Sequence, residues 1–96
     1  MKKEELHGIY RNALDKFGIN AQTMMVFEEI GELMNALAKF GRGRAKVDDV
    51  ITELADVSIM VEQMAVHYGY EEFEKEREWK IRRLKNKLKK YGDNCK

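Results

Sequence analysis

The sequence contains no proline, a single cysteine and two histidines among its 96 residues. Without proline, the chain lacks the residue that most strongly breaks helices. The single cysteine, Cys95, excludes a disulfide framework and a cysteine-based zinc site within one chain. No apolar run approaches membrane-spanning length, and the first residues lack the apolar core of a signal peptide. We therefore expect a cytoplasmic protein that has no membrane partner.

The charges nearly cancel over the whole chain. Charged residues make up 36% of the sequence and hydrophobic residues 44%, and the net charge is +1. This composition is typical of a folded helical protein, and it gives no overall attraction for nucleic acid, which we do not expect as a partner. A chain of this length suits one domain, covering residues 1–96. The chain is nevertheless strongly basic from Lys75 to Lys96, and the stretch from Glu28 to Glu62 carries most of the acidic residues without a basic neighbour.

Apolar residues recur at helical spacing in four segments, and no stretch alternates as a strand would. The predicted helices cover about residues 3–17, 20–40, 47–68 and 70–91, with Asn20 expected to cap the second. Gly18, Gly69 and Gly92 end three of them, and the Gly41–Arg44 segment breaks the chain in the middle. The fold class predicted is all-α, of the four-helix-bundle type.

Each of the last three predicted helices has an apolar stripe that we expect to form the core. The stripes consist of Val26, Ile30, Leu33, Leu37 and Phe40, of Val50, Leu54, Val57, Val61, Met64 and Tyr68, and of Phe73, Ile81, Leu84, Leu88 and Tyr91. The third helix has a second apolar track, Ile51, Ile59 and Val66. A monomer of four helices would leave that track exposed, so we expect a homodimer or a homotetramer.

Two acidic motifs lie on neighbouring predicted helices, Glu28-Glu29-x-x-Glu32 and Glu53-x-x-Asp56. Residues three apart share a helix face, so each motif presents a pair of carboxylates. Glu29 lies at the edge of an apolar stripe and Glu53 lies within one, whereas solvated acids usually lie opposite the core. If the two helices pack side by side, the carboxylates converge, and their repulsion requires bound protons or cations.

The ligand type predicts the kind of cation. Carboxylate oxygens without histidine or cysteine suit Mg²⁺, with Mn²⁺ as an alternative. A di-iron carboxylate bundle needs Glu-x-x-His pairs, and neither His7 nor His67 lies three residues after a glutamate of the two motifs. The histidines are expected to be surface or packing residues. The competing interpretation is an ordinary solvated acidic flank, which a single Glu-Glu-x-x-Glu string would favour.

Cations near the acidic motifs would suit a polyphosphate bridged to Mg²⁺. Lys80 and Arg83 on the last predicted helix are candidates, and a solvated basic face is the alternative. Lys39, Arg42 and Arg44, around the glycine break, are expected to line an entrance to the same site.

The two motifs in this order and separation resemble the signature of the MazG-like, all-α nucleoside triphosphate pyrophosphohydrolases, specifically their short single-domain members. The resemblance implies Mg²⁺-dependent hydrolysis of a (deoxy)nucleoside triphosphate to a monophosphate and pyrophosphate, in a homodimer or homotetramer. It implies four metal ligands, Glu29, Glu32, Glu53 and Asp56. By the same resemblance, Glu28 is an auxiliary catalytic carboxylate, either a base that orients water or a further metal ligand, and Lys80 and Arg83 are phosphate contacts. It does not indicate which base or sugar is preferred.

Two other functions remain open from the sequence. A non-catalytic helical dimer could act as a regulator or as a nucleic-acid-binding accessory protein through the basic last helix. That face has few aromatic residues for base stacking besides Trp79 and Tyr91. Hydrolysis of phosphoribosyl-ATP is a second enzymatic possibility that only a substrate assay distinguishes.

Overall fold

The computed structural model describes residues 1–92, which form four α-helices and no strand. The helices are α1 (Lys3–Phe17), α2 (Ile19–Gly41), α3 (Val47–Tyr68) and α4 (Tyr70–Lys90). The all-α prediction is confirmed. None of these four helices combines the length and apolar composition needed to cross a membrane. Cys95 lies outside the described residues.

Glycines make the two tightest connections. Gly18 has φ 84° and separates α1 from α2, and its N–H donates a hydrogen bond to the carbonyl oxygen of Leu14 over 2.9 Å. Gly69 has φ 142° and separates α3 from α4. L-residues with a side chain rarely adopt these conformations, which explains glycine at both positions. Because α2 already begins at Ile19, the prediction that Asn20 caps it is wrong.

The helices α2 and α3 form the main packing interface, α1 packs against both, and α4 packs against α3. The core is small and contains polar side chains. Its buried residues are Tyr10, Ala36, Met60 and Ala65, together with His7, Gln22 and Gln63.

The expectation that the apolar stripes form the core is wrong for much of their length. Leu37 and Leu54 are each 49% exposed, and Leu84 on α4 is 55% exposed. The reason on α2 and α3 is that these helices meet through the faces that carry Gln22 and Gln63, which half-buries residues such as Leu33 and leaves the rest of each stripe exposed. The radius of gyration is 16.5 Å, against about 12.5 Å for a compact domain of this length. The single chain is therefore elongated, with large apolar surfaces uncovered.

Candidate metal centre

The register between α2 and α3 brings the two acidic motifs together. Nε2 of Gln63 donates a hydrogen bond to Oε1 of Gln22 across the buried interface. The helices run in opposite directions, and seven residues correspond to almost two full turns. Seven residues beyond Gln22 is Glu29, and seven residues before Gln63 is Asp56. The glutamine pair and the facing carboxylates therefore share one alignment of the two helices.

Three carboxylates converge at this level of the interface. Glu29, Glu53 and Asp56 each offer one oxygen, and these oxygens lie within 4.8 Å of one another. All three residues are half-buried. The carboxylate of Glu32 adjoins Glu29 and Glu53 and interacts with both. The four acidic residues that the resemblance implies as metal ligands thus lie at one place in the fold.

Two oxygens of this cluster lack any partner. Oε2 of Glu29 and Oε2 of Glu53 are buried, and no hydrogen-bond donor of the described residues reaches them. A buried carboxylate oxygen without a donor carries a desolvation cost that nothing offsets. A bound divalent cation or a proton would remove that cost. With oxygen ligands only, the residues present fit Mg²⁺.

The electrostatics of the cluster agree with its geometry. Burial is the largest cause of a raised pKa at Glu29 and at Glu53, and the negative charge of Glu32 is the next cause at both. Asp56 raises the pKa of both glutamates further. Each of these effects disfavours the charged form of a carboxylate when no cation is nearby. A cation bound among the side chains would have the opposite effect.

A cavity of about 390 Å³ adjoins the carboxylates at the end of the interface where α2 leads into α3. Its walls are formed by Glu32, Asn35, Ala36, Lys39, Arg44, Ala45, Asp49, Thr52 and Glu53. Glu32 and Glu53 belong to both the carboxylate cluster and the cavity, which connects the two. Lys39 and Arg44 supply positive charge, and the lining includes no aromatic side chain. Arg42, the third cation expected here, does not line the cavity.

The remaining predicted site residues lie elsewhere. Glu28 is exposed on α2 and is not one of the three converging carboxylates. On α4, Nζ of Lys80 lies 3.8 Å from the carboxylate of Glu76, and the guanidinium of Arg83 lies 5.0 Å from the centre of the Trp79 ring. Since α4 packs against α3 but not against α2, nothing within residues 1–92 joins Lys80 or Arg83 to the carboxylate cluster.

The two histidines are packing or surface residues, as the sequence analysis expected. His7 is buried, and its ring meets the Tyr70 ring edge-on with 4.2 Å between centroids. His67 is exposed and lies beside Tyr68. Neither is among the residues of the carboxylate cluster.

Sequence reasoning missed two polar contacts between helices. The buried Gln22–Gln63 pair is one of them. Another is the hydrogen bond that the hydroxyl of Tyr10 donates to Oε1 of Glu62 over 3.2 Å, which joins α1 to α3. A signal for the first pair was present, because Gln22 lies seven residues from Glu29 and Gln63 lies seven residues from Asp56.

Comparison of the chain with known protein families, with curated proteins and with solved structures found no match.

Proposed function

We propose that the protein catalyses Mg²⁺-dependent hydrolysis of (deoxy)nucleoside triphosphates to a monophosphate and pyrophosphate, as its resemblance to the MazG-like pyrophosphohydrolases implies. The observation that carries the proposal is the convergence of Glu29, Glu53 and Asp56 within 4.8 Å, with two buried oxygens that have no partner. An arrangement kept only for solubility would expose these groups to water. The motif resemblance supports cleavage between the α and β phosphates.

Each acidic residue has a definite part in this proposal. Glu29, Glu53 and Asp56, with Glu32 beside them, would hold Mg²⁺. When bound, Mg²⁺ neutralises phosphate charge and lowers the pKa of a bound water. Glu28 is exposed next to Glu29 on α2, so its carboxylate is free to orient a water molecule or to accept a proton from it.

Water is the simplest nucleophile for this site. Neither the carboxylate cluster nor the adjoining cavity contains a serine, cysteine or histidine among the described residues. The hydroxyl of Thr52, which does line the cavity, donates a hydrogen bond to the carbonyl oxygen of Asp48 over 2.9 Å. No side chain of this site is therefore paired with a base as a covalent nucleophile would be.

The proposed enzyme is a homodimer or a homotetramer. The stripe residues Leu37, Leu54 and Leu84 are exposed in the single chain, and α4 has no buried residue. Acidic residues outnumber basic ones on α2 and α3, and basic residues outnumber acidic ones on α4. Contact between α4 of one copy and α2 and α3 of another would therefore join opposite charges and also cover exposed apolar side chains. If α4 of one subunit covers α2 and α3 of the other, Lys80 and Arg83 come near the carboxylates, in the role that the resemblance gives them.

The test is a screen of all common nucleoside and deoxynucleoside triphosphates, with Mg²⁺, Mn²⁺ or EDTA, that measures pyrophosphate and orthophosphate separately. We expect pyrophosphate release that EDTA abolishes. Glu53→Gln and Glu29→Gln should reduce turnover by at least about a hundredfold, since each removes a ligand charge. Glu71→Gln, a change at an exposed glutamate of the first turn of α4, is the matched control and should retain activity.

Two results would contradict the proposal. One is the absence of Mg²⁺-dependent release from any nucleotide, combined with salt-dependent binding to DNA or RNA, which would favour the accessory-protein interpretation. The other is full activity of Glu53→Gln, which would separate the hydrolysis from this cluster.

A further inference from the structure

The cavity beside the carboxylates is lined mainly by charged and polar residues, which indicates the chemistry of its ligand. We propose that Lys39 and Arg44 form the subsite for the β and γ phosphates, the part of the substrate that leaves as pyrophosphate. This inference rests on the proposed function and adds the direction in which the substrate lies. It places the triphosphate chain along the groove between α2 and the start of α3.

The arrangement of charge along the groove supports this direction. Glu32 and Glu53 belong to the carboxylate cluster and also form one wall of the cavity. Lys39 lies seven residues after Glu32 on α2, which is about 10 Å along the helix axis. Helical side chains lean toward the N-terminus of their helix, so Lys39 is placed where its long side chain can reach back toward Glu32. Carboxylates and cations thus line the same cavity.

A triphosphate carrying Mg²⁺ needs this combination. Carboxylates suit the end where the metal is held, and cations suit the phosphates beyond it. Arg44 lies in the segment between α2 and α3, and its planar guanidinium can donate two parallel hydrogen bonds to phosphate oxygens. The volume of about 390 Å³ is within the usual range for small-molecule sites, about 300–1,000 Å³.

The lining also argues against the nucleobase as the occupant. Bases are usually held by stacking on aromatic or broad apolar surfaces. The uncharged residues of this cavity are Asn35, Ala36, Ala45 and Thr52, which offer no such surface. The carboxylate of Asp49, also in the lining, accepts a hydrogen bond from the backbone N–H of Lys46 over 2.9 Å, so it is already engaged with a donor.

The experiment compares Arg44→Ala and Lys39→Ala with Arg42→Ala. Arg42 is a matched control, because it is exposed in the same connecting segment and does not line the cavity. Calorimetric titration with inorganic pyrophosphate in the presence of Mg²⁺ measures binding without turnover. We expect Arg44→Ala and Lys39→Ala to weaken binding by about tenfold or more each. Arg42→Ala should bind like the wild type, and Arg44→Lys should restore part of the affinity lost in Arg44→Ala.

Product inhibition gives a second readout. In Arg44→Ala and Lys39→Ala the inhibition constant for pyrophosphate should rise, while the inhibition constant for the nucleoside monophosphate stays the same. A rise for the monophosphate alone, or pyrophosphate affinities equal to that of the wild type, would overturn the assignment. If the wild type hydrolyses triphosphates and these variants bind pyrophosphate normally, only the subsite fails. If the wild type hydrolyses no nucleotide, the proposed function fails, whatever the titrations give.

Discussion

Gln63 on α3 donates a hydrogen bond to the side-chain oxygen of Gln22 on α2, and both amides are buried. Such a pair favours one alignment of two helices, because sliding either helix by a turn leaves buried polar groups without partners. In this alignment, Glu29 and Asp56 face each other almost two turns away. A contact outside the carboxylate cluster thus helps to define the geometry of the cluster.

Breaking the glutamine pair should destabilise the fold. Gln63→Ala leaves the buried amide of Gln22 without its partner, and we expect a loss of about 1–3 kcal/mol in the free energy of unfolding. Urea denaturation measures it. Replacing both glutamines by leucine should cost less than the sum of the single changes, since no unpaired amide remains. Asn12→Ala, at an exposed amide on α1, is the control and should change stability by less than about 0.5 kcal/mol. A cost for Gln63→Ala no larger than the control's would contradict a stabilising role for the pair.

Divalent cations should raise the melting temperature of the protein. A cation that binds only the folded state stabilises it by mass action, and at 100 times its Kd the shift should be about 10 °C or more for a domain of this size. Thermal unfolding with increasing Mg²⁺ measures it. Glu53→Gln should abolish the shift and melt higher than the wild type in EDTA, because a repelling charge is gone. Glu28→Gln should keep the shift, since Glu28 is not one of the three converging carboxylates. A shift that persists in Glu53→Gln would place the cation elsewhere.

The pH dependence of stability should show the raised pKa values of Glu29 and Glu53. Between the ordinary glutamate pKa, about 4.3, and the raised values, the folded state binds more protons than the unfolded state. Stability in EDTA should therefore fall as the pH rises through this window, and the contribution should level off above the raised pKa values. Denaturation of the wild type and of Glu53→Gln across pH 4–8 isolates the effect as a difference. A difference that does not vary with pH would show that the two carboxylates titrate normally.

The outward apolar stripes should hold copies of the chain together. Leu37→Lys and Leu54→Lys each place a charge at a residue that is 49% exposed in the single chain. Each should shift a dimer or tetramer toward monomer while leaving the helix content unchanged, because neither side chain is in the core of one chain. Light scattering after size exclusion gives the mass. Asn12→Lys serves as the surface control. A wild type that is monomeric at all concentrations would refute the assembly.

The sequence alone determined the four helices and most of their ends, although not the start of α2. Their lengths follow from strong helix propensity without proline, and Gly18 and Gly69 stop helices because they adopt positive φ. The sequence also determined that Glu29 shares a face with Glu32, and Glu53 with Asp56, since angular position on a helix depends only on spacing.

Only the tertiary structure decided which faces of α2 and α3 meet. The apolar stripes predicted an interface built on residues such as Leu37 and Leu54, whereas the single chain packs through Gln22, Ala36 and Gln63. Periodicity shows which residues share a face of one helix. Which face contacts the neighbouring helix depends on the packing of the whole interface and on the surfaces that other copies of the chain cover. The unpartnered carboxylate oxygens and the cavity follow from that choice. They arise where two helices meet, and they are properties of neither helix by itself.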